Sequence, residues 1–162
     1  MSQCNGIKEK IKISFPDNAT ITCEQLHDIA ESSYSNGSPW SLESFQTDLE
    51  TPLAGYGLAM INKEVVGFIG YRHFLGEAEI TNFGVDYEFK KQGIATELMA
   101  ACLVHLKEQG MKQLFLEVRS SNLPARLIYG KFGLAEVDIR KNYYHHPTED
   151  AIVMQYIEKT EE

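Results

Sequence analysis

The feature that most constrains the fold is a hydrophobic strand joined by a short polar turn to a long amphipathic helix. The strand is predicted over Glu77–Val85 and the helix over 94–109, with Gly93 in the turn and Gly110 as the C-terminal cap. One apolar stripe recurs along the helix at helical spacing: Ile94, Leu98, Cys102 and Leu106. A strand and a helix in this order predict a sheet with the helix packed on one face.

The rest of the chain repeats and extends this pattern. A second strand-to-helix unit, 113–118 followed by 122–132, lies in the segment LEVRSSNLPARLIYGKFGL. The other predicted strands cover 10–15, 56–61, 65–74, 135–139 and 151–157, and two further helices cover 23–35 and 42–50. This order of elements predicts an α+β fold with a mostly antiparallel mixed sheet flanked by helices.

Local signals fix several boundaries of these elements. Thr22 is a helix N-cap with Gln25 at the capping-box position, and Ser41 is the N-cap of the next helix. The turn Asn62-Lys63-Glu64 lies between two strand patterns, which indicates a β-hairpin. These signals support the predicted order of elements independently of hydrophobicity.

Length and charge limit the classes of protein to consider. The 162 residues predict one domain over 10–157, with 1–9 and 158–162 as flexible termini. The formal net charge of −8 argues against nucleic acid as the main partner and favours a basic one. The oligomeric state stays open.

Targeting signals and cysteines point to the cytoplasm. No apolar run is long enough to span a bilayer, and the N-terminal residues lack the apolar core of a signal peptide. Cys4, Cys23 and Cys102 are widely spaced and form no CxxC pair, which is typical of reduced thiols. Cys102 falls on the apolar face of its helix, where a buried thiol is expected.

The start of the helix at Ile94 is suited to an anionic ligand. A helix N-terminus presents unpaired backbone N–H groups and the positive end of its dipole, which favour phosphate or pyrophosphate. Gly93 lets the backbone approach a bulky ligand, and Ala95 keeps the helix start unobstructed. Lys90 and Lys91 add positive charge beside it.

The segment KKQGIA resembles the R/Q-x-x-G-x-G/A motif of the GNAT (Gcn5-related N-acetyltransferase) superfamily. The resemblance implies the GNAT acyl-CoA N-acyltransferase fold and acetyl-CoA as cosubstrate. The residues that it assigns to the pyrophosphate are Lys90, Lys91, Gln92, Gly93, Ile94, Ala95 and Thr96, and those that it assigns to the pantetheine arm are Phe83, Gly84 and Val85. Lys90 departs from the usual Arg or Gln at the first motif position.

A longer resemblance covers roughly 56–156. The segments LEVRSSNLPARLIYGKFGL and IRKNYYHHPTEDAIVMQY are similar to those of the RimI-type ribosomal-protein-alanine N-acetyltransferases. Ile128 and Leu134 replace the usual Leu and Phe, which are apolar exchanges. The resemblance implies transfer of acetyl to the N-terminal alanine of a basic ribosomal protein.

The same resemblance implies the catalytic groups. Glu117 is the general base, acting through water, Tyr129 is the acid that protonates the CoA sulfur, and Asn122 contacts the cofactor and caps its helix. Glu79 is a second candidate base. Without the resemblance, Glu117 forms an ordinary surface ion pair with Arg119, and Tyr129 simply packs in the core.

On the substrate side, the sequence offers aromatic residues and no metal site. Tyr143 and Tyr144, on a loop after the sixth strand, and Trp40, near the first helix pair, are candidates for lining a peptide groove. His145 and His146 lack a third ligand at suitable spacing, so they are assigned to a solvated loop.

Two other functions stay open at this stage. One is a GNAT enzyme that acts on a small amine or a protein lysine, and the other is a non-catalytic CoA-binding regulatory module. Neutralising a lysine (pKa about 10.4) at pH 7 requires about 3 kcal/mol more than neutralising an α-amine (pKa about 8), which favours the α-amine. The presence of both Glu117 and Tyr129 speaks against the non-catalytic module.

Overall fold

The computed structural model describes residues 10–159. The strands are β1 (Lys12–Ser14), β2 (Ala54–Ile61), β3 (Glu64–Phe74), β4 (Glu77–Val85), β5 (Gln113–Arg119), β6 (Ala135–Tyr144) and β7 (Glu149–Ile157). The helices are α1 (Cys23–Ser33), α2 (Leu42–Leu49), α3 (Ile94–Glu108) and α4 (Leu123–Lys131). Two short 3-10 turns cover Asn18–Thr20 and Tyr87–Phe89. The order of strands and α-helices is the one predicted.

The strands described in 10–159 form one mixed sheet. Their order across the sheet is β1-β2-β3-β4-β5-β7-β6. Adjacent strands run antiparallel except β4 and β5, which are parallel because α3 crosses between them. The prediction of a mostly antiparallel mixed sheet flanked by helices is confirmed.

The helices bury two separate cores, one on each face of the sheet. On one face, α3 and α4 cover the larger core, in which the predicted α3 stripe is buried. On the other face, α1 and α2 cover a smaller core around Leu26, Phe45 and Phe68. Cys102 lies in the larger core as a free thiol, and burial raises its pKa to about 12.

The predicted boundary signals are present. Thr22 and Gln25 form a capping box, and the Ser41 hydroxyl accepts from the backbone of Ser44. The β2–β3 turn has positive φ at both Asn62 (50°) and Lys63 (68°), the conformation of a tight hairpin turn. Turn and cap chemistry therefore sets these ends.

Several strand boundaries differ from the prediction, that of β6 most of all. β1 is shorter than 10–15, β7 begins at Glu149, and β6 runs on through Tyr144 instead of ending at residue 139. The assignment of Tyr143 and Tyr144 to a loop is therefore wrong. β6 is an exposed edge strand with a register shift between Arg140 and Tyr144, so it lacks the alternation that marks a half-buried strand.

Trp40 and Cys23 are both partly buried. Trp40 is half-buried against Phe45, with ring centroids 5.3 Å apart, so it packs in the core under the first two helices. Cys23 is a half-buried free thiol, while Cys4 lies outside the described residues. Within 10–159, no helix is long and apolar enough to cross a membrane.

Candidate active site

The site lies where the two parallel strands stop pairing. β4 and β5 are in register at three positions, the last of which joins Glu79 and Phe115. β4 then continues to Val85 and β5 to Arg119 without further pairing to each other. The centre of the sheet therefore has an opening between the second half of β4 and the second half of β5.

A bulge in β4 determines which side chains face this opening. Across the β3–β4 pair, Arg72 is opposite Glu79 and Gly70 is opposite Asn82, which leaves one extra residue in β4. Arg72 and Gly70 are two apart on β3 and share a face. Glu79 and Asn82 therefore share that face too, although they are three residues apart.

Two carboxylates lie on the face covered by α1 and α2. Glu117 on β5 has a side chain that is 13% exposed, and it forms an ion pair with Arg140 on β6 (Nη1 to Oε1, 3.2 Å). Burial and the nearby charge of Glu117 raise the pKa of Glu79 above its usual value. The alternative pairing of Glu117 with Arg119 is wrong, since Arg119 pairs with Glu149.

Tyr129 approaches from the opposite face. It belongs to the core under α3 and α4, is 7% exposed, and its ring meets the edge of Phe83 on β4 at 6.4 Å between centroids. Burial, followed by the proximity of Tyr34 and Tyr144, raises the pKa of Tyr129 well above its usual value. Among residues 10–159, its hydroxyl has no hydrogen-bond partner. The phenol thus stays protonated throughout the neutral range.

Tyr143 and Tyr144 border the carboxylates from β6. Their rings are 5.1 Å apart and nearly perpendicular, and each faces a guanidinium, Arg140 over Tyr143 at 5.7 Å and Arg119 over Tyr144 at 4.5 Å. A hydrogen bond to Glu117 is the largest cause of the raised pKa of Tyr143. The structure therefore brings both tyrosines, which were predicted to bind substrate, next to the predicted base.

The N-terminus of α3 is open. Gly93 is its N-cap, with φ of 81° and no capping side chain, and Lys91 also has positive φ (64°). Lys91, Gln92 and Thr96 are exposed, so their side chains face solvent around free helix N–H groups. This arrangement fits a pyrophosphate, which such N–H groups bind.

The other residues of the KKQGIA motif have structural contacts as well. Ile94 is buried in the core and Ala95 packs partly against it, so their side chains hold the helix while their backbone faces outward. The Lys90 ammonium donates to the carbonyl of Ser33 at the end of α1. Lys90 therefore ties α1 to this turn.

The backbone of β4 that was predicted to bind pantetheine is held by α1. The Tyr34 hydroxyl donates to the Phe83 carbonyl (2.7 Å), and the Val85 N–H donates to the Ser33 hydroxyl (3.2 Å). The Phe83 N–H donates to the side-chain Oδ1 of Asn82 (3.0 Å). These are groups that a strand normally offers to a neighbour, and they lie along the opening.

Gly84 and Asn122 complete the predicted cofactor residues. Gly84 is buried beneath α1, where an added Cβ would come within 3.5 Å of the Ser33 side chain. Asn122 is exposed and caps α4 by accepting from the Ala125 N–H (3.3 Å), as predicted.

His145, His146 and Trp40 have no described contact with Glu117 or Tyr129. His145 and His146 are exposed in the β6–β7 turn, and the His145 carbonyl accepts from Arg119 (3.2 Å). The part of the chain from 10 to 159 contains no group of three His, Cys, Asp or Glu residues that could hold a metal ion. Trp40 contacts the helix core, and no described contact joins it to Glu117 or Tyr129.

Four residues of the site had no role in the sequence prediction. Ser33 is the last residue of α1 and Tyr34 follows it, and this helix end carries no sequence signal of contact with β4, so sequence spacing could not find them. Arg140 lies in the quoted segment IRKNYYHHPTEDAIVMQY, three residues before Tyr143. Its position near two candidate substrate-binding tyrosines was a signal that could have identified it. Glu149 could be linked to Arg119 only through the pairing of β5 with β7.

A second concave region lies elsewhere on the molecule. A cavity of about 670 Å³ is lined by residues of β2, β3 and α2 and by residues at the end of α3, among them Gln46, Tyr71, His105 and Gln109. It contains none of the predicted site residues.

Known proteins are similar to this chain in sequence. The model of the acetyltransferase (GNAT) family matches residues 23–134. The ribosomal protein bS18-alanine N-acetyltransferase of Haemophilus influenzae is 34% identical over 134 residues, which cover 81% of this chain and 89% of that protein. The enzyme of the same name from Escherichia coli K12 is 34% identical over 120 residues, covering 72% of this chain and 79% of that protein.

Solved structures show the same architecture. The crystal structure of the ribosomal-protein-S18-alanine N-acetyltransferase from Escherichia coli superimposes with a TM-score of 0.84 at 28% identity, covering 94% of this chain and 97% of that one. The structure of Ard1 from Thermoplasma volcanium has a TM-score of 0.77 at 28% identity, covering 91% and 97%. Both similarities extend over nearly the whole described chain.

Proposed function

The chain belongs to the acetyltransferase (GNAT) family and is an acetyl-CoA-dependent N-acetyltransferase, and on that premise we propose that its acceptor is the N-terminal α-amine of a basic ribosomal protein, with alanine first. The acceptor follows from the named relatives. The chemistry follows from the residues around the opening in the sheet. We assign Glu117 as the base and Tyr129 as the acid of a direct transfer between the two substrates.

One observation carries this mechanism. The carboxylates of Glu79 and Glu117 face the α1/α2 side of the sheet, Tyr129 comes from the core on the α3/α4 side, and Tyr144 is an electrostatic neighbour of both Glu117 and Tyr129. An amine and a thioester that enter from opposite faces can react at the opening in the sheet without sharing a binding surface. A proton acceptor then lies on the amine side and a proton donor on the thiol side.

Acetyl-CoA supplies an activated acetyl group. The open α3 N-terminus, from Gly93 to Thr96, is suited to its pyrophosphate, and Lys91 and Gln92 flank that position. The β4 backbone from Phe83 to Val85 runs beside the opening and supplies groups for the pantetheine arm. The hydroxyls of Ser33 and Tyr34 hold two of those groups, so α1 adjusts when the arm is bound.

Glu117 removes the proton that makes the acceptor amine unreactive. Its ion pair with Arg140 fixes the carboxylate at the edge of the opening. An α-amine loses its proton about 3 kcal/mol more easily than a lysine at the same pH, so a single carboxylate acting through water is sufficient. Glu79 is a second candidate base, on the neighbouring strand.

Tyr129 donates to the departing sulfur. Its phenol is protonated at neutral pH because burial raises the pKa. A thiol has a pKa of about 8.5, so at neutral pH the product thiol takes up a proton as the thioester bond breaks. A hydrogen bond from the phenol stabilises the negative charge that grows on sulfur during that step.

The acceptor is expected to lie on the face that carries Tyr143 and Tyr144. The formal charge of −8 favours a basic peptide over nucleic acid. We place the reaction in the cytoplasm, where ribosomal proteins are made, with no membrane partner. Trp40 packs under α1 and α2, so it supports the groove on this face without lining it.

A protein lysine or a small amine is the second candidate acceptor. The proximity of Glu79 and Glu117 favours it, because two carboxylates attract a lysine ammonium into the site and the raised pKa of Glu79 makes that carboxylate a stronger base. The third possibility, a non-catalytic CoA-binding module, has no need for a buried phenol opposite a paired carboxylate.

The test is acetyl transfer to two matched basic peptides, followed by mass spectrometry. One peptide has a free N-terminal alanine and no lysine, and the other has a blocked N-terminus and one lysine. We expect acetylation of the first alone. Acetylation of the second alone would replace the α-amine with lysine, and transfer to neither would reject the proposed acceptor.

A further inference from the structure

The side chain of Asn82 is a buried amide with one end unused. Asn82 is 5% exposed, and its Oδ1 accepts from the Phe83 N–H at 3.0 Å. Its Nδ2 has no partner among residues 10–159. The contact with the Phe83 N–H fixes the orientation of the amide, since the reverse orientation would place two donors together.

An unpaired buried donor destabilises the protein that contains it. Nearly all buried polar groups in folded proteins have partners, so an exception at a site calls for a ligand that supplies the acceptor. The adjacent Thr81, the extra residue of the β4 bulge, also has a buried hydroxyl without a partner in the described chain. Two successive polar side chains at the β4 bulge thus lack hydrogen-bond partners in the described chain.

That place is the opening in the sheet. Because of the bulge, Asn82 shares a face with Glu79, and it follows the last β4–β5 pair by three residues. Asn82 is also next to Phe83, whose ring contacts Tyr129. Its amide therefore lies on the face of the two carboxylates, one residue before the one that contacts the phenol on the other face.

We propose that Nδ2 of Asn82 donates a hydrogen bond to a substrate carbonyl oxygen in the opening. That oxygen belongs to the thioester of acetyl-CoA or to the first peptide bond of the acceptor. The inference rests on the proposed function in one respect, that the two substrates meet at this opening. A donor held rigid by its own strand suits either role, because it needs no reorganisation when the substrate arrives.

Two variants remove the donor in different ways. Asn82→Asp keeps the oxygen that accepts from Phe83 and replaces the NH₂ group, while Asn82→Leu replaces the amide with an apolar group of similar size. Asn18 provides the matched control, since its Nδ2 donates to the Ala54 carbonyl at 2.9 Å, away from the opening. Asn18→Asp and Asn18→Leu therefore test the same substitutions on a satisfied amide.

The measurements are dissociation constants for acetyl-CoA and for CoA by calorimetry, the KM of the alanine peptide, and melting temperatures as a check on folding. If Nδ2 binds the thioester, both Asn82 variants lower the affinity for acetyl-CoA by about three- to tenfold and leave the affinity for CoA unchanged. If Nδ2 binds the acceptor, the KM of the peptide rises by the same factor and both coenzyme constants stay unchanged.

Two results would overturn the inference. One is an unchanged ratio of acetyl-CoA to CoA affinity together with an unchanged KM of the peptide. The other is an equal loss of affinity for both coenzymes, which would mean that Asn82 only maintains the strand. Failure of the proposed function looks different, because the wild type would then not acetylate the alanine peptide, while the ratio of coenzyme affinities would still test Asn82.

Discussion

At the level of single residues, the proposed acid and the proposed base have different surroundings. Tyr129 is surrounded by the core, so its pKa is raised and it keeps its proton, which also makes it a weaker acid. Glu117 retains a charged partner in Arg140 and a polar neighbour in Tyr143. The site thus pairs a permanently protonated donor with a carboxylate held by a guanidinium.

Replacing Tyr129 with Phe tests the donor. We expect kcat to fall by about 100-fold, because general acid catalysis contributes at least that factor, with little change in the affinity for acetyl-CoA. Tyr156→Phe is the matched control, since its hydroxyl donates to Glu158 (2.8 Å) far from the opening. Steady-state kinetics of both variants decide the matter, and normal turnover in Tyr129→Phe would reject the acid.

The pH dependence of kcat/KM separates the two candidate bases. The charge of Glu117 contributes to the raised pKa of Glu79, so Glu117→Gln lowers that pKa. If Glu79 is the base, this variant stays active and its acidic limb moves to lower pH. We expect the other result, a loss of about 100-fold or more in kcat/KM for Glu117→Gln and a smaller one for Glu79→Gln.

At the level of elements, α3 is flanked by two glycines that adopt the left-handed conformation. Gly93 at its start and Gly110 just after its end both have positive φ, 81° and 91°, and an added Cβ at either position has nothing within 4 Å. Both glycines are required by backbone conformation and not by packing. The two ends therefore form a natural comparison.

Gly93→Ala and Gly110→Ala should destabilise the protein alike, by about 1–2 kcal/mol each, since both force an L-residue into the left-handed region. Only Gly93→Ala should lower the affinity for acetyl-CoA, because this substitution shifts the N–H groups assigned to the pyrophosphate. Thermal melting and calorimetry measure the two effects. Equal coenzyme affinity in both variants would contradict the assignment of the α3 N-terminus.

Arg119 joins three elements around the acceptor face. Its guanidinium donates to the carbonyls of Pro147 (3.1 Å) and His145 (3.2 Å), pairs with Glu149 (3.3 Å) and stacks on Tyr144. Glu149 in turn accepts from the loop between β5 and α4, and its pKa is lowered to about 2, with the Ser121 contact the largest cause. This network holds the β6–β7 turn against the start of the helix that carries the acid.

Arg119→Met should therefore raise the KM of the acceptor peptide by about tenfold, with the affinity for acetyl-CoA nearly unchanged, because about 1–2 kcal/mol of ordering is lost from the turn. Lys107→Met is the matched control, since Lys107 also faces a tyrosine (Tyr156, 5.0 Å) and a glutamate (Glu158, 3.7 Å). Steady-state kinetics compare the two. Equal peptide KM values in both variants would show that the turn does not position the acceptor.

At the scale of the whole molecule, the proposed function gives each substrate its own side of the sheet. The larger core, under α3 and α4, lies on the proposed cofactor side, and the smaller core, under α1 and α2, lies on the proposed acceptor side. Asp48 on α2 anchors that second layer, since it is buried and accepts from Arg72 (2.8 Å) and from the Tyr56 hydroxyl. The opening between β4 and β5 is the place where the two sides connect.

The charge of the whole chain predicts a dependence on salt. With a net charge of −8, encounter with a basic peptide is favoured at low ionic strength. Raising NaCl from about 0.05 to about 0.3 M should raise the KM of a basic peptide several-fold, because the Debye length shortens over this range. A neutral peptide with the same N-terminal alanine is the control, and equal salt dependence of both peptides would reject electrostatic selection.

The sequence by itself determined the elements and the family. The period of apolar residues located α3 and its stripe, and cap residues such as Thr22 and Ser41 located helix starts. These inferences succeed because hydrophobic period and capping act over a few neighbouring residues, whereas the roles of Glu117 and Tyr129 come from the motif resemblance and stay predictions. β6 was underestimated because an exposed, bulged edge strand has no period to detect.

The tertiary structure alone decided how these parts face one another. The β4 bulge turned Asn82 to the face of Glu79, whereas strict alternation would have put them on opposite faces. The partner of Glu117 is Arg140 and not Arg119, because the order β5-β7-β6 places β6 two strands from β5, with only β7 between them. Tyr34 reaches the Phe83 carbonyl across 49 residues of chain. Such contacts depend on register, strand order and packing between layers, which spacing along the chain does not encode.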